Sequence, residues 1–535
     1  MRLTRAGIQD RSAWDRAGIA LPGFRFDAVA AGTAERPRWV HFGAGNIFRA
    51  FPAACLQELL ASGRADTGVI AVETFDEEII DRIYRPCDNL TLNVAVAGDG
   101  TPSFTVVSSV TEALVGSPAR AGDWDRLLEV FRAPSLQLAS FTITEKGYAT
   151  RTPDGKLLDL VAEDLRTGPA GPRHVMSRLT ALMLARHRAG AAPIALVSMD
   201  NCSHNGERLR ENVLAIAQAW RATGLVDAEF VAYLEDGARV SFPWSMIDKI
   251  TPRPSEEVRA SLEQAGVEGM DITVTAKGTW IAPFVNAEVP QYLFVEDDFP
   301  NGRPALEHCR GVGFTDRATV NRIETMKVTT CLNPLHTALA ITGRLLGRER
   351  VFEAAQDPAI AALVHRIGYG EGLAVVVDPG VIRPRAFLDE VMEQRFTNPA
   401  IPDTTSRIAT DTSLKVGIRF GETIKAYAAD PALDARRLVG IPLAIAAWLR
   451  YLLALDDQGA ALEVSPDPLR EQLQKNLAGC ALGGPSVDLA PILANPAIFG
   501  SDLVALGLGG RIQQMFDQML AGPGAVRATL ESWLK

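Results

Sequence analysis

The chain has little of what builds metal or redox centres. Among 535 residues there are six Cys, at 55, 87, 202, 309, 331 and 480, with no C-x-x-C pair. That excludes the common zinc and dithiol signatures and suits a reducing cytosol. The seven His show no ligand spacing either, so no metal is expected. A basic surplus is also missing, since the net charge is −10. Nucleic acids and anionic membranes reward basic surfaces, so neither is expected as a partner. No apolar run reaches membrane-spanning length, and residues 1–25 are a charged mixture without the apolar stretch of a signal peptide, so the expected location is cytoplasmic. What remains is ordinary: 47% hydrophobic and 22% charged residues, in a length that suggests two or three domains. Small-molecule chemistry is the favoured class, with the oligomeric state left open.

Residues 38–51, RWVHFGAGNIFRAF, read as a strand, a tight glycine turn and a helix running on through Ala53, Ala54, Leu56 and Leu59. In a dinucleotide fold Gly43 allows the turn and Gly45 lets the backbone approach a pyrophosphate at the helix N-terminus. The third glycine position holds Phe48, so the fingerprint is incomplete. The next strand, residues 69–72, ends in Glu73, a carboxylate placed to accept ribose hydroxyls and to repel a 2′-phosphate; an N-cap or turn acid is the structural alternative. Alternating runs at 90–96 and 103–107 flank Ala97-Gly98-Asp99-Gly100 and predict a β-hairpin. Two further strands end in polar clusters, Thr144-Glu145-Lys146-Gly147-Tyr148 and Asp200-Asn201 through Gly206, where ligands bind in parallel sheets. Asn201 can donate to a developing alkoxide; alternatively it and Asp200 cap the next helix, although Asn205-Gly206 suits that cap better. Residues 240–252 add a strand and turn with an embedded acid, Asp248, and Pro243 puts the start at a sheet edge or loop.

The acidic, Pro/Gly-rich stretch 295–304 predicts the domain boundary, giving an α/β Rossmann-like NAD-binding domain with insertions over 1–300 and a mainly α-helical substrate and catalytic domain over 301–535. Beyond the boundary apolar residues recur at helical spacing. The chemistry is expected in residues 323–336, IETMKVTTCLNPLH, which put a Lys, an amide and an imidazole into an apolar run. Lys is almost never buried without a partner, and a desolvated ammonium gives up its proton more readily, so Lys327 is a candidate base. The bland alternative is a pair with Glu324 one turn earlier. The expected active site lies in the cleft between the domains, with nicotinamide on one side and Lys327 on the other.

Taken in order, the segments 41–49, 144–148, 198–206, 242–252, 327–336 and 395–415 resemble the long-chain polyol and hexuronate dehydrogenase (mannitol dehydrogenase) family, over roughly residues 40–415. The resemblance implies NAD as cofactor, no catalytic metal, and an oxidoreductase acting on CH–OH groups. It makes Lys327 the general base and Asn201 with Asn333 an oxyanion hole. It has His336 orient substrate hydroxyls, Glu324 stand at a proton exit, and Asp248, Arg407 and Lys415 bind the rest of the substrate. Asn46, Phe48, Arg49, Thr144 and Glu145 join Gly43, Gly45 and Glu73 as cofactor residues. The segment 331–340 is most similar to the fructuronate reductase branch, which interconverts D-fructuronate and D-mannonate. The runner-up is a mannitol or arabinitol 2-dehydrogenase acting on neutral polyols, and a non-catalytic NAD-binding protein is the alternative of another class. One departure is physical: the family usually has four residues between the Lys and the Asn, and here there are five. At about 100° per residue a regular helix would swing Lys327 away from His336, and a π-bulge near Thr330 is the expected remedy.

Overall fold

Six short runs rich in Val, Ile, Leu and Phe form the strands of one sheet in the computed structural model, which describes residues 1–535 apart from 153 and 400. They are β1 Trp39–Phe42, β2 Val69–Glu73, β3 Val110–Val115, β4 Leu138–Phe141, β5 Ile194–Ser198 and β6 Val240–Ser241. Every neighbouring pair is parallel, in the spatial order β3-β2-β1-β4-β5-β6. Strands β1, β2, β4 and β5 are buried at every position, as parallel strands covered on both faces must be. Their side chains alternate between two cores. Val40, Phe42, Ile70, Val72 and Phe141 pack with Leu179 and Leu182 on one face, and Trp39, Val69, Ala71, Leu138 and Val197 pack with Leu56 and Leu59 on the other. This is the doubly wound order that the Gly turn implied, and it reverses between β1 and β4, the place where such sheets bind ligands.

The predicted hairpin is present as the antiparallel pair Thr91–Val96 and Pro102–Val107, extended by Phe284–Glu288 and Ile19–Ala20. A smaller sheet joins Ser245–Asp248, Tyr292–Glu296 and Val312–Thr315. The chain divides into two compact units, 1–97 with 101–321 and 98–100 with 322–535. The division after residue 321 comes later than the acidic stretch because Val312–Thr315 pairs in parallel with Tyr292–Glu296 and so stays with the first unit.

Two helices follow the Gly turn where one was expected: α1 Asn46–Ala50 and α2 Pro52–Ala61. The break falls at Phe51 (φ −131°, ψ −77°), because Pro52 has no N–H to continue the ladder and suits the first turn of a new helix. The second unit has no strand among its described residues. Its helices include α3 Asn333–Leu345 and α4 Gly440–Tyr451, the latter buried at all twelve positions. A helix buried all round must be a central one. Its N-terminal amides are satisfied by buried Glu371, whose carboxylate accepts from the backbone N–H of Val439, Gly440 and Ile441 at 2.7, 2.8 and 2.9 Å.

Candidate active site

In the first unit the Gly43 turn leaves β1 with φ +100°, and a Cβ there would lie 2.1 Å from the Thr142 carbonyl oxygen, so only glycine fits at the point where β1 and β4 diverge. Gly45, at the N-cap of α1, faces open space: a Cβ would meet nothing within 4 Å. That bare backbone is the room a pyrophosphate needs, and the residues present therefore fit a dinucleotide. Phe48 and Arg49, expected among the cofactor residues, are fully buried instead. Phe48 stacks on His41 at 4.0 Å, and Arg49 donates to the Ala282 carbonyl (2.8 Å) and to Asn46 Oδ1 (2.9 Å). Both hold the turn from inside. Asn46 in turn donates to the Pro252 carbonyl at 3.2 Å. The His41 ring nitrogens sit 2.6 and 2.8 Å from Ser140 Oγ and Thr142 Oγ1, and burial pushes its pKa down to about 3, so the ring is neutral.

Glu73 ends β2 as expected, but its carboxylate turns back on the protein. It accepts from the amides of Thr74 and Phe75 (2.8 Å each), Asp76 (3.3 Å) and, across the turn, Ala44 (3.0 Å). Burial raises its pKa against the pull of those amides. A carboxylate offers about four lone-pair sites, so what Glu73 does in this geometry is brace the glycine turn. A cation that the local sequence gave no sign of reaches the same rim. Lys277 donates to the Phe75 carbonyl and lies 4.4 Å from the centroid of the exposed Phe75 ring. The hairpin carrying it is anchored by Thr275 Oγ1 donating to Asp76 Oδ2 at 2.5 Å.

At the ends of β4 and β5 the organising group is Asp200. It accepts from the amides of Ile143 and Thr144 at 2.9 Å each and from the Tyr148 hydroxyl at 2.7 Å, and Tyr148 also meets Ser198 Oγ at 2.7 Å. This network holds Thr144 at φ +62°, and the residue after Asp200 is Asn201, exposed to solvent. Glu145 is taken up by a surface pair with Arg208 (2.6 Å). Asn205 is a helical residue rather than the cap: its amide donates to the Asp200 and Ser245 carbonyls at 3.0 Å, tying two segments together. Asp248 is buried at the end of Ser245–Asp248.

In the second unit, Lys327–Cys331 is a π-turn, with Leu332 N–H bonded to the Lys327 carbonyl at 3.1 Å. The expected bulge thus takes in the fifth residue, and Pro334 falls in the first turn of α3, where its missing N–H is tolerated. Lys327 is buried at 2% exposure, while Glu324 and Asn333 are half-buried. His336 packs against Phe396 at 4.8 Å. Its pKa is pushed down to about 3, first by burial and then by Arg419, Arg395 and Arg407, against the pull of Asp403. Arg407 is exposed and forks onto Asp403 with two bonds of 2.6 Å. Lys415 donates to the Thr410 carbonyl, and burial, then Arg419, lowers its pKa. Arg419, which the sequence reading passed over, donates to Thr337 Oγ1 at 2.6 Å and is lowered by burial to about 10. Its spacing of four from Lys415 was the available signal. Cations outnumber acids around a neutral imidazole, a setting that suits an anionic ligand.

The description "Mannitol dehydrogenase Rossmann domain" matches residues 37–308, and "Mannitol dehydrogenase C-terminal domain" matches 319–520. The chain belongs to the mannitol dehydrogenase family. It is therefore an oxidoreductase with NAD as its cofactor. A curated relative, the D-mannonate oxidoreductase of Thermotoga maritima, is 52% identical over 99% of this chain and 98% of its own. Among solved structures, a substrate-free D-sorbitol dehydrogenase is 25% identical with TM-score 0.79, covering 96% of this chain and 98% of that one. Pseudomonas fluorescens mannitol 2-dehydrogenase, in a ternary complex with NAD and D-mannitol, is 26% identical with TM-score 0.70, covering 100% and 99%. No helix among the described residues is long and apolar enough to cross a membrane, and no group of three or more His, Cys, Asp or Glu there could hold a metal ion.

Proposed function

We propose that the chain interconverts D-mannonate and D-fructuronate, as the name of the Thermotoga maritima relative suggests. The observation that carries the sugar acid over a neutral polyol is the cationic setting of His336, with Arg395, Arg407 and Arg419 around it and Asp403 as the opposing acid. Guanidinium forks match a carboxylate's geometry, and burial strengthens the pairing. Bound NAD supplies the hydride acceptor, on the turn built by Gly43 and Gly45. Lys327 takes the alcohol proton as the carbonyl forms and returns it in reduction. Asn333 and Asn201 donate to the reacting oxygen, and Glu324 passes the proton outward. His336, neutral, orients a substrate hydroxyl, and Asp248, Arg407 and Lys415 hold the remainder.

The test is an NADH absorbance assay on D-fructuronate, D-mannonate, D-fructose and D-mannitol. The sugar acids should have the higher kcat/KM, and Arg419→Met should narrow that advantage; higher values for the neutral pair would make the protein a polyol dehydrogenase. Lys327→Ala should lower kcat by about 10²–10⁴-fold with NADH affinity unchanged, and added primary amines should partly restore it. A folded Lys327→Ala variant within a few-fold of wild type would remove Lys327 from the role of base.

A further inference from the structure

The family match begins at residue 37, and the residues before it build a feature of their own. Together with Leu90 and Ser108 they enclose a cleft of about 330 Å³, lined by Arg5, Arg11 and Arg25 against Phe24 and Phe26. The Arg5 guanidinium stacks 3.7 Å from the Phe26 centroid, and its Nε is buried without a hydrogen-bond partner. Arg11 makes one long bond, 3.4 Å to the Pro22 carbonyl. Asp27 also borders the cleft, yet among the described residues no ion pair joins it, or any other acid, to these three arginines. Elsewhere in this acidic chain arginines such as Arg85, Arg120 and Arg126 do pair with carboxylates. The helix Phe26–Glu35 starts here as well, and its N-cap, Arg25, offers the first amides no side-chain acceptor.

Three guanidinium groups around one hollow repel each other unless an anion sits among them. Stacking on Phe26 fixes the plane of the Arg5 guanidinium in the wall of the cleft. We propose that this cleft binds a small organic anion carrying at least two negative charges, as phosphate or carboxylate, with an apolar or planar body against Phe24 and Phe26. None of these residues belongs to the cofactor turn.

Calorimetric titration of the NADH-saturated protein with pyrophosphate and, separately, citrate tests this. Saturating NADH occupies the other phosphate-binding backbone, and the two probes tell phosphate from carboxylate recognition. At least one should bind saturably with one site per chain. Arg5→Gln and Arg25→Glu should each weaken that probe by about tenfold or more, with NADH affinity unchanged. Arg25 is exposed, so its variant folds even where loss of Arg5 disturbs packing, and circular dichroism checks both. Absence of saturable heat from both probes, undiminished binding in Arg25→Glu, or binding that vanishes once NADH is present would each overturn the proposal.

Discussion

Acidification offers a perturbation whose size follows from two buried rings. His41 and His336 sit in different units, and burial lowers each from 6.5 to about 3. Between those values the unfolded chain binds a proton that the folded one refuses, so stability rises with pH there. The stabilisation is complete above about pH 6.5 and is lost as pH falls toward about 3. Each pH unit below 6.5 costs about 1.4 kcal/mol per ring, which gives about 2 kcal/mol each at about pH 5. Urea unfolding followed by tryptophan fluorescence at about pH 7.5 and pH 5 measures the loss. His336→Gln and His41→Asn, which cannot titrate, should each flatten the pH dependence by about 2 kcal/mol even where they lower stability overall. Variants with the same pH slope as wild type, or ring proton resonances in the folded protein titrating near 6.5, would refute the reasoning.

Three further outcomes are expected. NAD should exceed NADP in kcat/KM; Glu73→Gln should weaken NAD binding and narrow that ratio, while Lys277→Ala should widen it, and a ratio unmoved by both would detach the rim from cofactor choice. Chelators should leave activity intact, and activity lost in EDTA and recovered with zinc would contradict a Lys-based mechanism. Glu371→Ala strips three amides at the head of a buried helix of their acceptor, so thermal unfolding should show a loss of about 3 kcal/mol or more, against a few tenths for an exposed acid such as Glu257.

The parts of this molecule legible in the sequence are those whose cause is local. Short continuous apolar runs and the Gly43 turn announce the sheet, because a parallel strand buried on both faces and a positive φ leave marks within a few residues. The single-residue surplus between Lys327 and Asn333 was equally visible, since a helix keeps count and Pro334 limits where the excess can go. Arg49 shows where local evidence fails. The resemblance counts it among the cofactor residues, and its guanidinium is fixed by the Ala282 carbonyl, 233 positions away. Lys277 is the converse: nothing near it mentions a cofactor, and the bonds from Thr275 to Asp76 and from the Ala276 amide to Glu78, 199 and 198 residues distant, bring it to the rim of β2. Glu73 combines the two cases, because its position was readable while its partners were not. A carboxylate already shared among four amides repels a 2′-phosphate less selectively than one aimed at the ribose, and a neighbouring cation weakens the repulsion further. The Glu73→Gln and Lys277→Ala variants are therefore expected to move the NAD-to-NADP ratio in opposite directions, and their difference measures how far the two charges set cofactor choice.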